Sequence, residues 1–197
     1  MSRESLTQRI VFLGKFLRHG TRIASVTPSS RWLARATIDP IDWEHANTVL
    51  ELGAGMGAIT EEILRVLGPG ACFVTIESDE TFCEILRGKF GSRDGVHVIC
   101  GDATDFVPLL EMLGIKSVDA IISGLPTPSL GSAGINRLMY SVRKTLKEDG
   151  YFCQITEMPF VFLRFYKKYF SQVQFKIELR NIPPGGAYWC RIPKRQQ

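Results

Sequence analysis

The feature that most constrains this chain is a change of rhythm near residue 47. From there on, short apolar runs alternate with helical patterns. Residues 48–52, 72–77, 96–100, 118–123 and 151–156 read as strands. Residues 58–67, 80–90, 106–113, 135–147 and 160–170 read as helices, with Gly68-Pro69-Gly70 and Asp149-Gly150 as stops. Apolar strands spaced by helices predict an α/β fold: a mostly parallel sheet covered on both faces. At the end, residues 173–180 alternate like a half-buried strand, Pro183-Pro184-Gly185-Gly186 turns the chain, and residues 187–192 pair back as an antiparallel edge.

Length and composition fit one such domain. The chain has 197 residues, 45% hydrophobic and 22% charged, with mean hydropathy +0.03. Disorder is excluded by that apolar content, and two full domains by that length. The organisation expected is a helical extension over residues 1–46, as membrane-binding segment or lid, and an α/β domain over 47–197. The longest apolar run, 118–125, is far below the roughly 20 residues of a membrane span. No apolar segment with a small-residue cleavage site opens the chain, so a cytoplasmic location is expected. Five scattered cysteines without a C-x-x-C pair and only three histidines point to reduced thiols and no metal site.

Charge is distributed unevenly. Residues 1–22 carry five basic side chains against one acidic, residues 164–197 eight against one, and the span between them 11 against 18. Basic ends on an acidic body suggest a polyanionic partner, an anionic membrane surface or a nucleic acid. On a helical wheel Leu6, Ile10, Leu13 and Leu17 share one face with Phe12 and Phe16 beside it, while Lys15 and Arg18 lie opposite. Arg9 intrudes on the apolar arc and would have to snorkel. Such a helix suits a membrane interface, or equally a core-packed lid.

The chemistry concentrates at strand ends. Residues 49–60 run a strand into Gly53-Ala54-Gly55-Met56-Gly57 and then a helix, a turn that lets the backbone approach a ligand closely. The spacing G-x-G-x-G differs from the G-x-G-x-x-G of dinucleotide sites. Glu51, two residues before the first glycine, would repel a pyrophosphate and welcome a sulfonium. Glu77-Ser78 closes the second strand, where a carboxylate accepts ribose hydroxyls. Gly101-Asp102-Ala103 closes the third, where an acid accepts from an adenine amino group and Ala103 leaves room for the ring.

This constellation, ELGAGMG then IES then GDA, resembles the class I S-adenosylmethionine-dependent methyltransferases across residues 47–192. The resemblance implies their Rossmann-like, seven-stranded sheet with an antiparallel last strand. It implies that Glu51, Gly53, Ala54, Gly55, Met56 and Gly57 hold the methionine part of S-adenosylmethionine, Glu77 and Ser78 the ribose, and Gly101, Asp102 and Ala103 the adenine, with Ser123 bordering the cofactor. Ribosomal RNA adenine dimethyltransferases resemble the first half but carry an N-L-P-Y-like stretch after the fourth strand. There the Asn accepts from the base amine and the aromatic stacks on the flipped base. Here the stretch is Ser123-Gly124-Leu125-Pro126-Thr127-Pro128, with Ser123 read in place of the Asn and Thr127 in place of the aromatic. A nucleic-acid substrate is therefore disfavoured.

The same stretch is similar to that of the small bacterial phospholipid N-methyltransferases, which act on phosphatidylethanolamine, and of related enzymes that act on ornithine lipids. Two flanking blocks carry that resemblance further: residues 12–34, with Thr27-Pro28-Ser29-Ser30 as a helix start, and Arg180-Asn181-Ile182-Pro183-Pro184 followed by Tyr188-Trp189. It implies a peripheral membrane enzyme at the inner face of the membrane that methylates an aminolipid amine. Ser123 and the carbonyls around Gly124-Leu125-Pro126 would meet the amine. Ser29, Ser30, Arg31 and Arg180 would face the lipid phosphate, and Tyr188 and His19 are further candidates near the substrate.

Overall fold

The computed structural model describes residues 30–127, 130–158 and 160–193. The N-terminal amphipathic pattern, His19, Ser29 and Pro128 lie outside the described residues. In chain order the elements are α1 (Arg31–Ile38), β1 (Thr48–Leu52), α2 (Ala58–Val66), β2 (Cys72–Glu77), α3 (Glu80–Phe90), β3 (Val96–Cys100), α4 (Val107–Met112), β4 (Val118–Ser123), α5 (Gly131–Thr145), β5 (Leu146–Thr156), α6 (Leu163–Tyr166), β6 (Gln172–Glu178) and β7 (Gly185–Arg191).

The strands form one seven-stranded sheet in the order β3-β2-β1-β4-β5-β7-β6. β1 through β5 are parallel, and β7 runs antiparallel to both of its neighbours, β5 and β6. Six strands therefore point their C-terminal ends the same way, and the chain reverses its direction of winding between β1 and β4. In sheets of this kind ligands bind in the crevice at that switch point. The expected antiparallel pair is present, with β7 inserted between β5 and β6 so that β6 forms the edge.

Central strands covered on both faces are near-continuous apolar runs. On one face Leu50, Leu52, Val74, Ile76 and Phe152 pack with Phe106, Leu110, Leu138 and Val142 of α4, α5 and the turn before α4. On the other, Val49, Phe73, Ala120 and Ile122 pack with Ala34 and Ile38 of α1 and Ile59 and Ile63 of α2. The α1 helix is well tied down. Trp189 Nε1 donates to the Ala36 carbonyl at 3.1 Å, and Arg35 Nε reaches the buried Glu62 at 2.6 Å, which Arg65 also engages.

Two predicted helices differ from the observed ones. The α5 helix starts four residues early, at Gly131, because its first turn (Gly-Ser-Ala-Gly) has no apolar periodicity to read. The run 160–170 gives only the single turn α6 flanked by turns. Phe160 holds a left-handed backbone (φ 65°), which stops a helix from entering at that point. Among the described residues no helix is long and apolar enough to cross a membrane.

Candidate active site

The site is built where β1, β2, β3 and β4 end. After Leu52 the chain turns sharply and enters α2, whose first turn carries backbone N–H groups toward the crevice. Gly55 sits at the top of this turn at φ 55°, and the space where its Cβ would stand is open for 4 Å. A side chain there would occupy the crevice itself. On β2, Glu77 closes the loop from the side: its Oε2 accepts from Gly55 N at 2.8 Å, and its Oε1 accepts from Ser78 N at 2.8 Å and Asp79 N at 3.0 Å. Oε1 also takes the Ser78 hydroxyl at 3.4 Å, so Glu77 is largely engaged in shaping the loop. The position left for a further donor is on Oε2, which among the described residues accepts only from Gly55 N.

Asp102 follows β3. Its Oδ1 accepts from both the backbone N and the Oγ1 of Thr104 at 2.8 Å, and Arg137 approaches Oδ2 at 3.9 Å. The Thr104 backbone N–H, foremost, holds the carboxyl below the usual carboxylate range. One oxygen is thus fixed and the other faces outward, beside the buried Ala103.

Glu51 is placed differently from the expectation. Residues alternate faces along a strand, and Glu51 points to the α2 face, opposite Leu52. It is fully buried; Thr60 Oγ1 donates to its Oε2 at 2.6 Å and Thr75 Oγ1 at 3.1 Å. Its Oε1 has no hydrogen-bond partner among the described residues, and burial pushes the carboxyl up to about 7. Glu51 braces β1 to β2 and α2 beneath the glycine turn.

At the end of β4 the structure corrects several expectations. Ser123 is fully buried, and its Oγ accepts from Leu125 N at 3.3 Å. The Leu125 carbonyl already accepts from Thr127 N at 2.8 Å and Gln154 Nε2 at 2.9 Å, so its two lone pairs are taken and it cannot receive a substrate amine. Thr127 is buried too, and donates to Gln154 Oε1 at 2.8 Å. Counted back from Leu125-Pro126, the asparagine of an N-L-P-Y stretch falls on Gly124, not on Ser123. A Cβ on Gly124 would stand 2.5 Å from the Gly53 carbonyl oxygen. This backbone crossing has no room for a carboxamide.

The C-terminal candidates are also held by protein partners. Tyr188 is buried, and its hydroxyl accepts from Phe162 N at 3.1 Å, tying down the segment after β5. Arg180 forks onto the buried Glu178 through Nε at 2.7 Å and Nη2 at 2.6 Å, with its guanidinium 4.2 Å from the Trp32 ring centroid. That pairing holds Glu178 down at about 2. A phosphate would have to displace Glu178 to receive the same fork. Ser30 is the α1 N-cap: its side chain accepts from Leu33 N at 3.3 Å and its own N–H donates to Asn181 Oδ1 at 3.1 Å. Arg31 lies 4.6 Å over the same Trp32 ring and makes no ion pair among the described residues.

Residues that the sequence reading missed are Gln154, Thr60, Thr75, Thr104 and Arg137. Gln154 had a legible signal, a lone carboxamide inside the apolar strand Tyr-Phe-Cys-Gln-Ile. The others had none, because they matter through tertiary partners. Among the described residues no cluster of His, Cys, Asp and Glu could hold a metal.

The outward oxygen of Asp102, the remaining capacity of Glu77 and the orphaned Oε1 of Glu51 are all acceptors. Those of Asp102 and Glu77 border the open space over Gly55, while Glu51 lies buried beneath the turn and adds its acidic character from below. The arrangement suits a ligand rich in N–H, O–H and positive charge, as S-adenosylmethionine is, and a pyrophosphate would be repelled.

Comparison with known proteins agrees. The family described as Ribosomal RNA adenine dimethylase matches residues 29–146, ending where β5 begins. An ornithine lipid N-methyltransferase of Singulisphaera acidiphila is 45% identical over 92% of this chain and 94% of its own length. A probable ribosomal RNA small subunit methyltransferase A of Methanosarcina mazei is 29% identical, over 49% of this chain and 30% of its own length. Among solved structures, the O-methyltransferase TomG of Streptomyces achromogenes shares the fold, with TM-score 0.61 at 15% identity over 98% of this chain and 92% of that one. This chain belongs to the class I S-adenosylmethionine-dependent methyltransferases, in the family that the ribosomal RNA adenine dimethylases define.

Proposed function

We propose that this protein transfers a methyl group to the primary amine of an aminolipid head group. Ornithine lipid is the first candidate and phosphatidylethanolamine the second. The observation that carries the reading is the β4 exit. Gly124 has no room for the side chain that would hold a base amine, and Thr127 turns inward to Gln154. The 45% likeness to an ornithine lipid N-methyltransferase along nearly the whole chain supports the choice of a lipid, and of ornithine lipid over phosphatidylethanolamine.

Bound S-adenosylmethionine supplies an electrophilic methyl on a sulfonium. Around it, the Gly53–Gly57 turn admits the methionine part, Glu77 and Ser78 meet the ribose, and Asp102 with Ala103 receives the adenine. Leu125 and Pro126 wall the substrate side, where a Cβ on Gly53 would come within 2.9 Å of the Leu125 side chain. A primary alkyl amine has a pKa near 10.4 in water and arrives protonated. An apolar wall favours its neutral form, whose lone pair attacks, and fixed proximity supplies much of the rate. Both candidate lipids carry an anionic group near the amine, a carboxylate in one and a phosphate in the other; we assign its recognition to Arg31, which makes no ion pair among the described residues. We assign attachment at the inner membrane face to the basic, apolar-striped residues 1–22.

The test is incubation with methyl-labelled S-adenosylmethionine and, separately, ornithine lipid, phosphatidylethanolamine and ribosomal RNA. Label in a lipid fraction is expected, with the ratio between the two lipids naming the head group. Label in RNA alone, as dimethyladenine, would overturn the reading.

A further inference from the structure

The six parallel-pointing strand ends carry more than the crevice. Among the described residues, large apolar side chains are exposed there without a covering element: Met158, Phe160 and Val161 after β5, Ile177 at the end of β6, and Leu179 and Ile182 before β7. They are six of the ten exposed large hydrophobic residues among those described, with Leu179 at 69% and Ile182 at 86%. The segment after β5 is held in place rather than loose. Phe160 packs on Phe175 of β6 with ring centroids 4.6 Å apart, and Phe162 N donates to the Tyr188 hydroxyl. Phe160 keeps its ring at the surface on a left-handed backbone that a bulky residue adopts only at a cost. Apolar exposure gathered at one end of a molecule marks an interaction site.

Charge says what covers it. Residues 157–193 hold six basic side chains and two acidic ones, and Glu178 is buried under Arg180. Arg164 and Lys176 are exposed beside the apolar group. At the adjoining start of α1, linked through the Ser30–Asn181 hydrogen bond, Arg31 and Arg180 both lie against the half-buried Trp32 ring. Apolar tips ringed by guanidinium groups and an indole match the layering of a bilayer interface, in which acyl chains lie below phosphates.

We propose that this end of the sheet is a bilayer-docking surface. Met158, residues 160–162 and residues 179–183 insert their apolar tips, and Arg31, Arg164 and Lys176 meet anionic head groups, so that the crevice mouth faces the membrane. The inference deepens the lipid reading above and rests on it for its biological sense, but it concerns binding and not methyl transfer.

The experiment is sedimentation of the full chain with vesicles of phosphatidylglycerol and phosphatidylcholine, which contain no primary amine. Leu179→Ser with Ile182→Ser, and separately Met158→Ser with Val161→Ser, are each expected to lower the partition coefficient about tenfold or more. Met112→Ser with Leu113→Ser provides the control. These residues are also exposed, but lie at the far end of α4, which runs back toward the opposite edge of the strands. That control should bind like the unchanged chain. The proposal is overturned if both site-end pairs bind as the unchanged chain does, or if the control loses as much. It is also overturned if Leu179→Ser with Ile182→Ser leaves vesicle binding intact while lowering the melting temperature or splitting a dimer in light scattering. Those results would assign the surface to residues 1–29 or to a second copy. Docking that persists while no aminolipid accepts a methyl would remove the proposed function and leave this surface in place.

Discussion

Asp102 after β3 and Arg180 after β6 both end strands that point toward the crevice, and they use their charges in different ways. Asp102 fixes one oxygen on Thr104 and leaves the other outward. Arg180 spends two of its donors on Glu178 and lays its flat face on Trp32. The contrast extends across the sheet. In the β1–β3 half the polar groups of the site retain acceptor capacity over an open glycine turn. In the β4–β7 half they satisfy one another: Ser123 with Leu125, Thr127 with Gln154, Tyr188 with Phe162. One half holds prearranged polar atoms with acceptor capacity to spare. The other is an internally bonded scaffold that offers a shaped apolar wall, which suits an acceptor recognised mainly by a small amine and an apolar tail.

The strongest way to break this contrast is Gly55→Val. The position has no neighbour within 4 Å to clash with, so the fold should survive with only the cost of a left-handed valine, about 1–2 kcal/mol. Affinity for S-adenosylmethionine should fall on the order of a hundredfold or more in calorimetry, because the new side chain fills the crevice. Undiminished affinity would mean that the cofactor does not lie over this turn.

Glu51→Gln examines the acid beneath the turn. Its carboxyl, raised to about 7 by burial, binds a proton more tightly folded than unfolded, where the ordinary value is 4.5. Stability from this group is therefore full below pH 4.5 and declines as pH rises to about 7, by a total on the order of 3 kcal/mol. Thermal melts between pH 5 and 8 should show that decline in the unchanged chain and a flatter profile in the variant. An identical slope in both would remove Glu51 as its source.

On the scaffold side, Gln154→Leu takes the acceptor from the buried Thr127 hydroxyl and one of two donors from the Leu125 carbonyl, which keeps Thr127 N. Removing the partner of a buried polar group costs about 1–3 kcal/mol, so the melting temperature should drop by several degrees. Cofactor affinity should stay within about twofold. A large loss of cofactor binding with little change in melting would show that the two halves are coupled through the β4 exit.

Legibility followed the same division. The glycine turn after β1 and the acids that close β2 and β3 could be placed because their positions depend on residue type at a fixed offset from a strand end: glycine where the backbone must turn, an acid where backbone donors arrive. Glu51, by contrast, turned to the α2 face. β5 and the segment beyond it resisted. Phe160 and Phe165 look alike in a helical pattern, yet Phe160 is an exposed tip and Phe165 packs against the core. Only the left-handed backbone at Phe160 separates them, and no local propensity announces it. Tyr188 and Arg180 drew attention as polar residues in a family-like block. Their partners, Phe162 N at 26 residues' distance and Glu178 two residues back, are choices made by tertiary packing.

The smallest expected effect belongs to Arg180→Ala. Its side chain is 61% exposed while Glu178 is buried, so the pair lies at the solvent boundary, where screening keeps such a bond weak. The Arg180 backbone N–H also donates to Glu178 at 2.9 Å and survives the substitution, so part of the carboxylate's support remains. The pairing depresses the Glu178 pKa from 4.5 to about 2, which means that its stabilisation is present above pH 4.5 and is lost as pH falls toward 2. The unchanged chain should melt slightly higher than the variant at pH 6, and the gap should close as pH is lowered through that window. The KM for the lipid should change little, since the fork is already occupied by protein. A KM raised several-fold with an unchanged melting temperature would mean that Arg180 leaves Glu178 for the substrate's anion, and that the β4–β7 half also binds through a charged side chain once its ligand arrives.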